Sequence, residues 1–281
     1  MRRKIVTNLK TALTFAQTKG RVAQNVARGV KVKNDARNTE RGPLRAGVDF
    51  PSRAELRTIM ETATGRWRPM VITAVFTGMR ASELRGLAWS NVDLDAGMVH
   101  VRQRADAWGT IGKPKSKAGN RDIPLTPMVI NTLREWAKVC PKSGLGLVFP
   151  NGNGNVESHT NIIHRFWNPL QINNGMALDT GKKDEAGQPI MAAKFGLHSL
   201  RHAAASLFIA HLGWTPKRVQ TVLGHSSIRM SYDLYGHLFE DRENDSQALE
   251  KLEAAVVQPD CDKDATCRLE PKCFQRHHAV L

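Results

Sequence analysis

Residues 77–84 of this 281-residue chain read Thr77-Gly78-Met79-Arg80-Ala81-Ser82-Glu83-Leu84. The apolar segment that leads into them, residues 67–77, predicts a helix. Gly78 ends this helix, because glycine tolerates the left-handed conformation that is common after a helix. Residues 81–87 predict a second, short helix. Arg80 therefore lies between two helices, where its side chain can project into a cleft.

The rest of the sequence predicts further helices and a small sheet. Ser52 and Glu55 form a capping-box pattern that starts a compact unit at Pro51. Thr126 before Pro127 starts another helix, because proline suits the first helical position. More helices are predicted over residues 158–170, 198–212, 216–223 and 246–256. Strand-like pieces separated by glycines predict an antiparallel meander over residues 92–94, 98–102, 111–115 and 121–124.

These elements predict an α+β fold, mainly α, with a small antiparallel β-sheet. Residues 3–29 predict one amphipathic helix or two short ones, and residues 30–50 a basic linker. Residues 173–195, rich in Gly, Lys and Asp, predict an exposed connection. Residues 258–281 predict a disordered tail.

The charge of the chain points to a polyanionic partner. Lys and Arg number 41 against 26 Asp and Glu, a formal net charge of +15. A protein this basic usually binds nucleic acid. The sequence has no apolar stretch near the ~18 residues that a membrane span requires, and no signal-type apolar core follows its basic start. We therefore expect a cytoplasmic protein that associates with DNA and not with membranes.

The cysteines cluster near the end of the sequence. Three of the four lie in the last 21 residues and are followed by two histidines: Cys261, Cys267, Cys273, His277 and His278. Cysteines followed by histidines are typical of zinc sites. Here, however, five residues separate neighbouring cysteines, whereas zinc-binding cysteine pairs are usually separated by two to four. We predict no metal site here.

Five short motifs in order carry a family resemblance. They are the box at residues 77–84, Ser116-Lys117-Ala118-Gly119, His198-Ser199-Leu200-Arg201-His202, Leu223-Gly224-His225-Ser226 and Tyr235-Gly236-His237. Together they resemble the conserved boxes of the tyrosine recombinases, the phage integrases. The resemblance implies a helical DNA breaking-and-rejoining catalytic domain.

The two arginines of these motifs suit phosphoryl transfer. Negative charge builds on the non-bridging oxygens of the phosphate, and many enzymes neutralise it with metal ions. Arg80 and Arg201 can do the same with planar guanidinium groups, so we expect no metal and no cofactor. His198 lies three residues before Arg201 on the same predicted helix face. The resemblance assigns proton shuttling at the nucleophile to His198; we give the neighbouring His202 a structural role.

The remaining motifs supply the nucleophile and two polar groups. Tyr235 is the expected nucleophile, because it lies ten residues after His225 whereas Tyr232 lies seven, and the family's spacing favours Tyr235. His225 is expected to bond the scissile phosphate. Lys117 is expected to donate a proton to the leaving 5′ oxygen.

Two further assignments concern the choice of the lysine and the role of Glu83. Lys113 and Lys115 are competitors for the role of Lys117, because lysines are common in basic hairpins. Glu83 is expected to brace the loop of Arg80 and to take no part in the chemistry.

The resemblance implies a site-specific DNA recombinase that works through a 3′-phosphotyrosyl intermediate in the integration or excision of a mobile element. The implied assembly is a homo-tetramer on two DNA duplexes, with an accessory DNA-bending protein as a candidate partner. Two alternatives stay open: a type IB topoisomerase, and a DNA-binding integrase remnant without activity.

The sequence departs from the family at its N-terminal end. Integrases usually carry a helical DNA-clamping domain there, but only 50 residues precede the compact unit that starts at Pro51. Residues 1–50 are therefore expected to be a remnant of that domain plus a linker, and residues 51–257 the catalytic domain. A fragment, a shortened relative or a mis-started reading frame would each explain this.

Overall fold

Helices dominate the computed structural model, which describes residues 2–31, 43–114 and 116–239. The predicted helix at 246–256, the predicted tail and the cysteine–histidine cluster lie outside the described residues, as do Lys115 and part of the predicted linker. Among the described helices, none is both long and apolar enough to cross a membrane.

The helices follow the capping signals of the sequence. They are α1 (Arg2–Thr18), α2 (Arg53–Thr62), α3 (Trp67–Thr77), α4 (Ala81–Arg85), α5 (Pro127–Val139), α6 (His159–Asn161), a π-helical segment (Ile162–Trp167), α7 (Asn168–Asn173), α8 (Ser199–Leu212), α9 (Pro216–Leu223) and α10 (Ile228–Tyr235). The capping box of α2 is formed, with both Ser52 and Glu55 bonded to the other's backbone N–H. Thr126 and Thr215 cap α5 and α9 more simply: each side-chain oxygen accepts one backbone N–H, from Val129 and Arg218 respectively.

The strands of the described residues form three separate antiparallel sheets. They are β1 (Val92–Asp93), β2 (Met98–Val101), β3 (Arg104–Ala105), β4 (Ile111–Gly112), β5 (Arg121–Pro124), β6 (Ala177–Lys183) and β7 (Pro189–Ala193). The largest sheet has the order β1-β2-β5, while β3 pairs with β4 and β6 with β7.

The predicted meander is wrong in one respect, since the strand near residue 111 does not join the main sheet. After β2 the chain turns towards α4, where the Gln103 amide donates to the Gly86 carbonyl at 2.7 Å. This contact places β3 against α4, and β4 pairs with β3 there instead of lining up with β5.

Two other predictions about the periphery need correction. Residues 173–195 are exposed as predicted, but they form the β6–β7 hairpin; its turn is closed by the Asp184 carboxylate, which accepts from two backbone N–H groups. Residues 3–29 form neither the single helix nor the two short helices that the sequence predicts: one helix ends at Thr18, and residues 19–29 are turns and bends. Beyond Thr18 the chain folds back, because the Asn25 amide donates to the Lys10 carbonyl at 2.9 Å.

The core is built around α3 and α8. The side chains of Val71, Ile72 and Val75 on α3 are at most 1% exposed. Three consecutive alanines of α8, residues 203–205, are equally buried and let the two helices pack closely. Burying such side chains is worth roughly 1.5–3 kcal/mol each for the larger ones. The C-terminal end of α3 and the first turn of α8 both reach the candidate site.

Candidate active site

Three arginines meet at the C-terminal end of α9, where the last carbonyls have no partner within the helix. Arg121 Nε donates to the Val222 carbonyl at 2.5 Å, and Arg201 Nη2 to the Leu223 carbonyl at 2.6 Å. Arg80 Nη2 donates to the Gly224 carbonyl at 2.8 Å. These positive charges face the negative end of the helix dipole, which favours them.

A buried carboxylate holds two of these arginines in place. Glu83 accepts from Arg80 Nη1 at 2.9 Å and from the Arg80 backbone N–H at 2.9 Å. It also accepts from both terminal nitrogens of Arg121, at 3.0 and 2.8 Å. Burial pushes the pKa of Glu83 upward, but the hydrogen bonds and charge of Arg121, with those of Arg80, outweigh it and hold the pKa below its ordinary value. Glu83 thus contacts Arg80 as the sequence predicted.

Sequence reasoning missed Arg121, although a signal was present. The burial along β5 alternates, with Arg121 and Ile123 facing inward and Asp122 facing outward. An arginine at an inward position of a short strand indicates a buried ionic partner, because a charge is rarely buried without one.

Arg201 ties together the ends of two helices. Its Nη1 donates to the Gly78 carbonyl at 2.7 Å, just after α3, while its Nη2 reaches the end of α9. Burial, followed by the nearby charges of Arg80 and Arg121, lowers the pKa of Arg201 to about 9, so the group stays charged at neutral pH. Arg201 is buried, whereas the side chain of Arg80 is 34% exposed and faces the cleft.

The turn that carries Lys117 lies directly on the loop that carries His225. Gly224 has φ +67°, and a Cβ there would come within 2.7 Å of the Ala118 carbonyl oxygen. Only glycine permits this approach. Lys117 begins the short 3-10 turn Lys117–Gly119, with its side chain exposed. Lys113 is also exposed, just after β4, so the competition between these lysines stays open.

His198 and His225, the two histidines predicted for the site, both lie close to Arg80 and Arg201. His225 is buried, and its Nδ1 lies 2.9 Å from the Ser231 hydroxyl. Burial, then the charges of Arg201 and Arg80, lower the pKa of His225 to about 3. The same causes, burial first, lower the pKa of His198, which precedes the first turn of α8.

The two tyrosines of α10 differ sharply in their surroundings. Tyr235 ends the helix and is 1% exposed, while Tyr232 is 51% exposed and packs against Phe239. The Tyr235 hydroxyl lies 2.7 Å from Nδ1 of His202. Burial raises the pKa of the Tyr235 phenol, and the charge of Arg201 opposes part of that rise.

His202 is a second residue that sequence reasoning did not place in the site, because its predicted role is only structural. Its ring meets that of His198 edge-on, at 5.1 Å between centroids, as well as touching Tyr235. Burial, then the neighbouring His198 and Arg201, lower the pKa of His202 to about 4, so it is neutral at pH 7. The signal was the four-residue spacing from His198, which puts both side chains on one helix face.

A cleft opens beside Arg80 and His198. It has a volume of about 630 Å³, and its lining includes Arg80, Arg104 and His198. Within the described residues, no group of three or more His, Cys, Asp or Glu side chains is arranged to hold a metal ion.

The comparisons with known proteins identify the family. Residues 52–242 match the model of the phage integrase family, and the chain belongs to that family. The chain is 28% identical over 249 residues to the prophage integrase IntR of Escherichia coli K12, covering 85% of this chain and 57% of that protein. It is 29% identical over 226 residues to the tyrosine recombinase XerC of Xylella fastidiosa M23, covering 80% of this chain and 65% of that protein. The chain thus spans about three fifths of the length of these relatives.

Solved structures share the fold. The Tn1549 transposon integrase in complex with a circular intermediate DNA superposes with a TM-score of 0.57 at 18% identity, covering 89% of this chain and 78% of that one. A lambda integrase tetramer bound to a Holliday junction gives a TM-score of 0.52 at 18% identity, covering 79% and 57%. The predicted α+β, mainly helical fold class is confirmed.

Proposed function

We propose that this chain is a site-specific DNA recombinase that cleaves and rejoins DNA through a 3′-phosphotyrosyl intermediate on Tyr235. The observation that carries the proposal is the convergence of Arg80, Arg201 and His225 on the end of α9, with Tyr235 hydrogen-bonded to His202 beside them. Family membership and relatives named integrase and tyrosine recombinase support it.

The arginines are suited to hold the scissile phosphate. A guanidinium offers five N–H donors, and the contacts of Arg80 and Arg201 to protein carbonyls use only some of them. Arg80 is partly exposed and can contact the phosphate from the cleft. Arg201 is buried beneath it and would add positive charge near the phosphate. Their fixed positions mean that little reorganisation is needed as charge develops on the phosphate oxygens.

Tyr235 is held in a resting state from which it must be released. Its hydroxyl is buried, so no DNA phosphate can reach it until α10 shifts. Attack also requires loss of the phenolic proton, because the phenolate is the stronger nucleophile. His202 already contacts the hydroxyl, but a pKa of about 4 makes it a weak proton acceptor in this resting arrangement. His198, to which the resemblance assigns the proton, lies one ring further away.

Departure of the 5′ oxygen requires a proton, and we assign its delivery to Lys117. The ammonium group is carried on an exposed turn that packs against the His225 loop. Lys113 and Lys115 remain the alternatives. His225 would bond the phosphate through the ring nitrogen that does not face Ser231.

The proposed partners follow from this chemistry. Double-stranded DNA is the substrate, consistent with the net charge of +15. The active assembly would be a homo-tetramer on two duplexes, with an accessory DNA-bending protein as a further candidate. Residues 51–257 would form the catalytic domain, and residues 1–50 a clamp remnant with its linker.

A covalent-adduct assay tests the proposal. The chain is incubated with a library of nicked duplexes, in which cleavage releases a short fragment and traps the protein on DNA. Tyr235→Phe should abolish the adduct and keep DNA binding, while the matched Tyr232→Phe should keep both. Loss of the adduct with Tyr232→Phe alone would assign the nucleophile to Tyr232. Supercoil relaxation without strand exchange would indicate a topoisomerase, and binding without any adduct an inactive remnant.

A further inference from the structure

Arg104, the first residue of β3, has a polar atom without a partner. Its Nε is shielded from solvent and makes no hydrogen bond within the described part of the chain. Buried polar atoms in folded proteins nearly always have partners, so an orphaned one calls for an explanation. The shielded Nε is closed to an incoming anion, so an anion from outside would meet this guanidinium at its terminal nitrogens, which carry four of its five N–H donors.

The position of Arg104 is fixed by close backbone packing. Gly86 follows α4, and a Cβ there would lie 2.6 Å from the carbonyl carbon of Arg104 and from the backbone nitrogen of Ala105. The Gln103 side chain, one residue before β3, donates to the Gly86 carbonyl. Because Arg80 caps the other end of α4, this packing sets Arg104 at a defined place relative to Arg80.

Arg104 and Arg80 line the same cavity. It has a volume of about 280 Å³ and is lined by Arg80, Ser82, Glu83, Arg104, Pro114, Ser116 and Gly119. The two arginines also line the larger cleft that His198 borders, so Arg104 lies where the two openings meet.

The lining chemistry of this cavity favours a phosphodiester. Ser82 and Ser116 add hydroxyl donors to the two guanidinium groups. The one carboxylate in the lining, Glu83, is already bonded to Arg80 and Arg121. An anion with several oxygen acceptors would satisfy this set of donors.

We propose that Arg104, together with Ser82 and Ser116, forms a subsite for the DNA phosphate next to the scissile one, and that this subsite positions the strand for cleavage at Arg80. The inference rests on the proposed function, since it takes DNA as the substrate. Arg104 is a positioning residue here: it holds a phosphate that is not cleaved.

The first test measures the salt dependence of DNA binding. All variants carry Tyr235→Phe, so that binding is measured without cleavage. Each phosphate contact contributes about 0.9 to the slope of log affinity against log salt, so Arg104→Ala should reduce the slope by about one. Arg134→Ala is the matched control, because Arg134 is an exposed arginine on α5 that pairs with Asp95. The control should leave the slope unchanged.

The second test neutralises single phosphates of the cleaved duplex with methylphosphonates. The protein with Arg104 should lose affinity when the phosphate next to the scissile one is neutralised, and Arg104→Ala should show no further loss at that position. At all other phosphates the two proteins should lose affinity equally. Arg104→Lys keeps the charge but not the planar fork, so it should restore the slope and only part of the affinity.

The outcomes separate this inference from the proposed function. Suppose the wild-type chain forms an adduct. If Arg104→Ala then leaves the salt slope unchanged, as Arg134→Ala should, or if its loss of affinity adds to that of the methylphosphonate at every phosphate, the subsite is disproved while the proposed function stands. If the chain binds DNA without an adduct, the salt slope still decides the role of Arg104 on random duplex. A chain that binds no DNA overturns both. Unchanged thermal unfolding of Arg104→Lys and Arg104→Ala excludes a folding defect as the cause.

Discussion

At the scale of single residues, the centre of the site is a hydrogen-bonded network of Glu83, Arg80 and Arg121. Glu83 joins Arg80 to Arg121, and Arg121 in turn caps the end of α9. Buried networks of this kind hold side chains rigidly when every member is satisfied, and they are costly when one member is lost. The position of Arg80 therefore depends on two residues that would not touch the substrate.

Removing Glu83 should destabilise the protein strongly. Glu83→Ala leaves the Arg121 guanidinium buried without a counter-charge, which typically costs about 3–5 kcal/mol. Glu135→Ala removes an exposed partner of Lys138, a contact worth at most about 1 kcal/mol. Urea unfolding of both variants measures the difference. Equal losses in the two variants would show that the Glu83 network adds no stability of its own.

The low pKa values of His202 and His225 predict that the stability of the fold falls as the solution becomes mildly acidic. In the folded chain the pKa is about 4 for His202 and about 3 for His225, against 6.5 for an ordinary histidine. As pH falls through about 6.5, the unfolded chain takes up protons that the folded chain excludes. The free energy of unfolding should drop between pH 7 and pH 5 by roughly 1–2 kcal/mol for each histidine.

Urea unfolding at pH 7, 6 and 5 measures this dependence on pH. His202→Gln should reduce the drop, because glutamine does not titrate. His211→Gln, at an exposed position near the end of α8, should leave it as it is. A wild-type protein whose stability is flat from pH 7 to 5 would contradict the low pKa values.

At the scale of elements, α10 matters most for the proposed chemistry, because it keeps the nucleophile buried. Within the described part of the chain, two side-chain hydrogen bonds join it to the rest of the site: one between Ser231 and His225, and one between Tyr235 and His202. The helix has eight residues, and several of its side chains are exposed. A helix this short, with several side chains in solvent, can open locally at low cost.

Hydrogen exchange should therefore report a change in α10 when DNA binds. In the Tyr235→Phe background, amides of residues 228–235 should exchange faster with DNA bound, because the helix must shift to present residue 235. Amides of α9 should not, because α9 is held by three arginines. If α10 exchanges more slowly or unchanged with DNA bound, the burial of Tyr235 is not a resting state that DNA relieves.

The elements also show how far sequence reasoning reaches. The bounds predicted for α3 and α9 are confirmed because their signals are local: an apolar run that ends at glycine, and a Thr-Pro start. By contrast, β3 has two residues and depends on packing against Gly86, a contact distant in sequence. The β6–β7 hairpin is exposed on both strands, so its sequence carries no alternation of apolar and polar residues to reveal it.

The same distinction holds for the site. Motif spacing led to Arg80, Arg201, His225 and Tyr235, and the fold brings them to one place; their catalytic roles stay predictions. Arg121 and His202 escaped notice because their partners lie 38 and 33 residues away. Nothing in a local window indicates that Arg121 meets Glu83, or that His202 meets Tyr235.

At the scale of the whole molecule, the site is also the point where the fold is held together. The end of α3, the start of α8 and the end of α9 converge there, and Arg201 contacts all three: it belongs to α8 and bonds the Gly78 and Leu223 carbonyls. Arg80, in contrast, projects from the loop before α4 into an open cleft. The two arginines share a proposed role towards phosphate but differ in their importance for folding.

Substitution of the two arginines by alanine should therefore have different effects. Arg201→Ala leaves two buried carbonyls without their partner, at about 1–3 kcal/mol for each unsatisfied group, so unfolding should shift to clearly lower urea concentration and the DNA adduct should be lost as well. Arg80→Ala should shift unfolding much less, because Arg80 is partly exposed, yet it should slow adduct formation by about 10²–10³-fold through loss of charge at the phosphate. The two measurements are urea unfolding and the rate of adduct formation on the same nicked duplex.

If Arg80→Ala unfolds as readily as Arg201→Ala, its loss of adduct reflects folding, and Arg80 then has no demonstrated role at the phosphate. If Arg201→Ala keeps full stability, the junction of α3, α8 and α9 does not depend on this arginine.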